Sequence, residues 1–283
     1  MGMNEIIELQ DGSLKARLNT HRWQLYSLEL DGAEFMWGGG KPEELKTEEE
    51  KQGWPNSEIL MFPNVGRATG DELTIGGRKF PMAQHGLARH LDAEIYGRTD
   101  NRVSFSQKYR ANTRIETAKG PCVFPFSFGL YREYTLEGGI LTHFIKISND
   151  SHELLPYSVG WHPALRILSE GSYVEAGSTR YSLEKIKEES KTGALLLENT
   201  SQVKYISRLG SVKVHSSSGL DHTQVWSPEG QNLVCPEPIS AFSLSRANYD
   251  GEFRWAPGYR FIEPGDLATF FVYLEPEISR NHF

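Results

Sequence analysis

Apolar and polar residues take turns along much of this chain. RVSFSQKY (102–109), LYREYTLEG (130–138), LTHFIKISN (141–149), SVKVHSS (211–217) and FFVYLEP (270–276) alternate, or nearly alternate. A period of two gives a strand one face for a core and one for water. Between these runs fall 27 glycines and 14 prolines, the residues that end elements and build turns. Long helical periods are absent. The best helical candidate, KPEELKTEEEKQG (41–53), is polar all round, which predicts a short solvated helix or loop with no core face. Many short strands and few helices predict an all-β sandwich or barrel. No repeat, low-complexity tract or linker interrupts the pattern, so residues 1–283 are expected to form one domain.

Composition narrows the function. Hydrophobic residues are 38% and charged residues 24%, as in ordinary folded domains. A formal net charge of −7 argues against nucleic acid and against an anionic membrane surface as partners. No apolar run reaches the length of about 18 residues that a spanning helix needs. The opening MGMNEIIELQDG lacks a basic stretch followed by an apolar one, so no signal peptide is expected. Two cysteines, Cys122 and Cys235, make neither a disulfide framework nor a zinc ligand set. They are expected to be reduced, in a cytoplasmic protein. Six Trp, 12 Tyr and 14 Phe fill space between sheets, and some of them suit a sugar-binding surface.

Several polar residues stand in unusual settings. His162, in YSVGWHPALRI, follows a strand-like run and precedes a proline that favours extended backbone. Burial lowers an imidazole pKa and a carboxylate raises it, so this side chain is either a satisfied core histidine or a tuned proton carrier. Glu237, in QNLVCPEPIS, lies where an apolar strand ends and is clamped by Pro236 and Pro238. A carboxylate there is costly unless paired or used. Glu263, in FIEPGD, repeats the Glu-Pro pair but belongs to a plain turn. Arg67, in ILMFPNVGRATG, is either a surface cation or a fork aimed at substrate oxygens.

QHGLARH (84–90) holds two histidines. On a helix, His85 and His90 would diverge by about 140° and could not share a metal. No third ligand is spaced for one, so no metal site is expected. On a strand, His85, Leu87 and Arg89 share one face and His90 takes the other, with His85 and Arg89 about 13 Å apart.

Taken in order, FPNVGR (62–67), QHGLAR (84–89), LPYSVGWHPAL (155–165) and LVCPEP (233–238) closely resemble the aldose 1-epimerase family, nearest to its LacX-like branch. LDGAEFMWGG (30–39) and EPGDLATFFVYLEP (263–276) fit the same pattern, so the resemblance spans nearly the whole chain. It implies an antiparallel β-supersandwich, galactose mutarotase-like, with a cleft for a small sugar and no organic cofactor. It implies Glu237 as general base, His162 as general acid, His85 as a hydrogen-bond donor near the ring oxygen, and Arg67 as a ligand of substrate oxygens. Arg89 matches an arginine that this branch carries and typical galactose mutarotases lack. Those enzymes also bind a sugar hydroxyl with an aspartate; Asp221 is a candidate that no motif marks. The implied activity is interconversion of the α and β anomers of a hexose. A hexose-6-phosphate 1-epimerase, with Arg67 and Arg89 on the phosphate, is the first alternative. A noncatalytic carbohydrate-binding protein is the second, since fold does not fix function. Glycoside hydrolysis normally needs two carboxylates, and only one is marked by a motif.

Overall fold

The alternating segments are strands. The structure, a computed structural model, describes residues 5–118 and 120–279. Gly210–Ser216, Leu267–Ile278, Ile140–Asn149, Phe128–Glu137 and Arg102–Tyr109 lie side by side, in that order, within one nine-stranded sheet. Their pairings are antiparallel. The predicted alternation places the inner side chains in register: Leu130 faces Ile147, Arg132 faces Ile145 and Tyr134 faces His143. All six are buried, with Arg132 and His143 as the basic groups among them.

A six-stranded antiparallel sheet packs over that face. Its main path runs Leu195–Leu197, His222–Trp226, Leu233–Ile239, Gly160–Pro163 and Glu58–Met61, and the short strand Leu165–Arg166 also pairs with Leu233–Ile239. Every residue of Glu58–Met61, Gly160–Pro163 and Leu233–Ile239 is buried. One face, with Leu60, Trp161 and Val225, joins the main core. The other carries smaller clusters around Ile59, Met61 and Ile239, and around Leu233 and Cys235. Strands covered on both sides read as continuous apolar runs, which is why they do not alternate. The all-β antiparallel sandwich is therefore the observed class. An N-terminal four-stranded sheet, Ile6–Asp11 to Ala33–Glu34, flanks the core.

Two helices depart from the expected pattern. Within KPEELKTEEEKQG, Glu48–Gln52 is helical and capped by Thr47. It does have an inward side: Glu50 is buried and paired with Lys41 at 3.0 Å and Arg166 at 3.3 Å. An acid held by two cations does for this helix what an apolar stripe does for others. A second helix, Leu183–Ser190, buries Leu183 and Ile186 and begins at the Ser182 cap. Eight residues are too few to display a clear period. No helix among the described residues is long and apolar enough to cross a membrane.

Candidate active site

His162 sits in the strand Gly160–Pro163, opposite Ile59. Neighbours alternate sides in a strand, so Trp161 enters the main core while His162 points the other way. Glu237 sits inside the strand Leu233–Ile239, directly opposite Gln224. This corrects its expected place at a strand end. Pro236 and Pro238 have no N–H to donate. Across that stretch the strand Gly160–Pro163 pairs with Leu233–Ile239 only at Gly160 and Ile239. His162 and Glu237 meet there, with imidazole Nε2 3.3 Å from carboxyl Oε1. Gln224 donates to the other oxygen, Oε2, at 2.5 Å.

QHGLARH is a turn, neither helix nor strand throughout. His85 has φ 68° and Gly86 φ 75°, and a short 3-10 turn, Ala88–His90, follows. Left-handed backbone is costly for histidine, about 1 kcal/mol or more, and persists where neighbours impose it. Here the His85 N–H donates to Gly66 O at 2.7 Å, and its carbonyl accepts from Phe62 N–H at 3.2 Å. Gly86 lies against that same backbone: a Cβ there would come within 2.1 Å of Phe62 O. The FPNVGR segment therefore acts as the template for the His85 turn. As a result the His85 ring stands edge-on to His162, with centroids 5.4 Å apart.

These residues line a cavity of about 650 Å³. Trp54 stacks on His162 at 4.6 Å and Trp226 meets it edge-on at 5.8 Å. Burial pushes the Glu237 carboxyl well above the usual carboxylate range, against the opposing effect of Gln224. Burial, reinforced by His85 and Arg89, pushes the His162 imidazole well below its ordinary value. Both shifts favour the uncharged forms, a carboxylic acid beside a neutral imidazole. The sequence led to an anionic Glu237 and a His162 tuned near neutrality; burial pushes both toward their uncharged forms. His162 Nδ1 is buried with no hydrogen-bond partner among the described residues.

The five residues singled out by sequence, Glu237, His162, His85, Arg67 and Arg89, all line this cavity. Arg67 is exposed and pairs with Asp71 at 3.1 Å. Arg89 is half-buried and makes no hydrogen bond or ion pair with any described residue; burial, with Arg22 nearby, lowers its pKa. His90 also lines the cavity, contrary to the strand reading that turned it away. Partial burial, Arg89 and Arg22 hold its pKa down at about 4. Asp221 is absent from the lining and is bound instead to Arg260 at 2.6 Å. Glu263 is an exposed turn residue, as its sequence indicated. Sequence reasoning missed Gln224, Trp226 and Arg246 and gave Trp54 no role in the site. Gln224 carried one signal, a place in the apolar-flanked run HTQVW; nothing local marked the others. Among the described residues, no group of three or more His, Cys, Asp or Glu is placed to hold a metal.

Solved structures share the fold. A galactose mutarotase-like protein from Lactobacillus casei superposes with a TM-score of 0.78 at 22% identity, over 96% of this chain and 100% of that one. A galactose mutarotase related enzyme from Lactobacillus acidophilus gives 0.80 at 21% identity, over 97% and 100%. Galactose 1-epimerase from Lactobacillus acidophilus NCFM gives 0.61 at 10% identity, over 99% and 97%. No curated protein matches the sequence. The sequence itself matches the family aldose 1-epimerase across residues 5–248, so the chain belongs to that family.

Proposed function

We propose that this protein interconverts the α and β anomers of a hexose by opening and reclosing the sugar ring. The observation that carries the reading is the His162–Glu237 pair, 3.3 Å apart and enclosed in the cavity. Ring opening needs one group to take the proton from O1 while another gives a proton to O5. The C1–O5 bond then breaks and O1 becomes a carbonyl oxygen. Rotation about C1–C2 and the reverse proton movements close the other anomer. In the uncharged forms that burial favours, the pair holds one exchangeable proton for this purpose. Moving it from Glu237 Oε1 to His162 Nε2 gives the carboxylate and imidazolium forms. Glu237 then takes the O1 proton and His162 protonates O5, and the charges cancel again as they do so. Opposed pKa shifts in neighbouring groups are the usual mark of such a division of roles. His85 donates to the substrate near the ring oxygen, and Arg67 binds substrate oxygens. A noncatalytic sugar binder needs no such proton-exchanging pair.

A second reading, a hexose phosphate as substrate, is favoured by Arg89. A half-buried guanidinium with no partner among the described residues, facing the cavity, suits an anionic group. Exchange NMR on a panel of aldoses and aldose phosphates tests both readings. Accelerated anomer exchange is expected with at least one of them, and Glu237→Gln is expected to lower turnover by about two to four orders of magnitude. No acceleration on any sugar would remove the epimerase reading.

A further inference from the structure

Beneath the cavity floor, on the opposite face of the same sheet, lies a buried polar network within the hydrophobic core. Glu58 and Arg132 are both buried and form an ion pair at 2.8 Å. Glu58 belongs to the six-stranded sheet and Arg132 to the nine-stranded one. The Glu58 carboxylate also accepts from Tyr134 Oη at 2.6 Å, from Leu25 N–H at 3.2 Å, and from Trp161 Nε1 on its second oxygen. Arg132 Nε donates to His143 Nε2 at 3.1 Å, and its guanidinium sits over the Phe105 ring at 5.1 Å. His143 in turn stacks on Tyr134 at 4.3 Å and meets Trp161 at 5.0 Å.

A buried ion pair is a poor source of stability, because desolvating both charges offsets their attraction, and apolar replacement is often neutral or favourable. Buried hydrogen bonds to charged groups do, however, fix the geometry of the groups they join. The geometry here bears on one place. Trp161 immediately precedes His162, and the two side chains leave the strand on opposite faces. Glu58 is two-way tied to that strand: its backbone is in register with Pro163, and its carboxylate holds the Trp161 ring.

We infer that Glu58 and Trp161 are positioning residues for His162: the Trp161 N–H bond to a carboxylate pinned by Arg132 sets the strand Gly160–Pro163 so that His162 Nε2 faces Glu237. The inference rests on the epimerase reading for its kinetic consequence, but not for its structural one. Three variants separate positioning from packing. Glu58→Leu with Arg132→Met removes both charges and the acceptor while keeping apolar bulk. Glu58→Gln with Arg132→Met removes the charges but keeps an acceptor for Trp161. Trp161→Phe removes the donor alone.

Two readouts are compared: steady-state anomer exchange, and the NMR titration of the His162 ring, which needs no activity. The first and third variants are expected to lower kcat about ten- to a hundredfold with KM within about threefold, as sub-ångström misplacement does. Both should also shift the His162 titration. The Gln-containing variant is expected to restore both readouts to near wild type. If the Leu and Gln double variants match in kcat and in His162 titration, the inference is overturned. If none of the three folds, the network is a stability element and the inference also falls. If the wild type exchanges no anomer, the epimerase reading is what fails, and the His162 titration alone decides the positioning.

Discussion

At the scale of single residues, the two partners of the site are moved in opposite directions by the same enclosure. Burial pushes the Glu237 carboxyl up and the His162 imidazole down, so both are biased toward their uncharged forms. Acid adds a second proton to His162 and leaves no acceptor; because its pKa lies well below the ordinary imidazole value of about 6.5, activity should persist below that pH. Base removes the Glu237 proton, and this limb lies well above the ordinary carboxylate range. Gln224 opposes the upward shift, so Gln224→Leu should move the alkaline limb of kcat/KM to higher pH. Profiles of kcat/KM against pH for both proteins check this; an acid limb at or above 6.5, or an alkaline limb that moves down, contradicts it. Glu237 and His162 could be singled out through the family resemblance of their motifs, since the local sequence left His162 open between a core histidine and a proton carrier. The directions of their pKa shifts were not legible, because these depend on burial and on His85, Arg89 and Gln224, which are distant in the chain and close only after folding.

At the scale of elements, period two identified the strands with one apolar flank but could not order the fully buried ones. Leu233–Ile239 reads as an apolar run, and only the fold shows that its prolines sit inside a strand at a gap in its pairing. The QHGLARH turn was misread for a related reason. Its shape is set by hydrogen bonds to Phe62 and Gly66, which lie 18 or more residues earlier in the chain. Gly86 marks the dependence. With φ 75° and a Cβ that would meet Phe62 O at 2.1 Å, it admits no side chain without moving the FPNVGR segment or the His85 turn. Gly86→Ala is therefore expected to cost more than about 1 kcal/mol, seen as a lower urea midpoint, and to reduce anomer exchange by displacing His85. An unchanged midpoint and rate would show that the turn has slack the backbone contacts do not suggest.

At the scale of the whole molecule, the charge is distributed against the average. The chain carries −7, yet the cavity is lined by Arg67, Arg89, Arg246 and three histidines, with Glu237 as the carboxylate in the lining. Three arginines outweigh one carboxyl even when it is ionised, so the lining is net cationic within an anionic protein. Arg67 is already offset by Asp71, in an exposed pair of little energetic weight. Arg89 has no described counter-charge, and burial strengthens its field in the cavity. An anionic substrate would replace that counter-charge, and the gain would be screened by salt. For a hexose phosphate, KM should rise as ionic strength increases, while KM for the free hexose stays nearly flat. A hydrogen bond to a charged group contributes about 1.5–3 kcal/mol, a factor of roughly ten to a hundred. Arg89→Gln should accordingly lower the ratio of kcat/KM for hexose phosphate over free hexose by at least about tenfold. If salt and this variant leave the ratio where it was, the cationic lining serves the neutral hydroxyls of a free sugar, and the phosphate reading is lost.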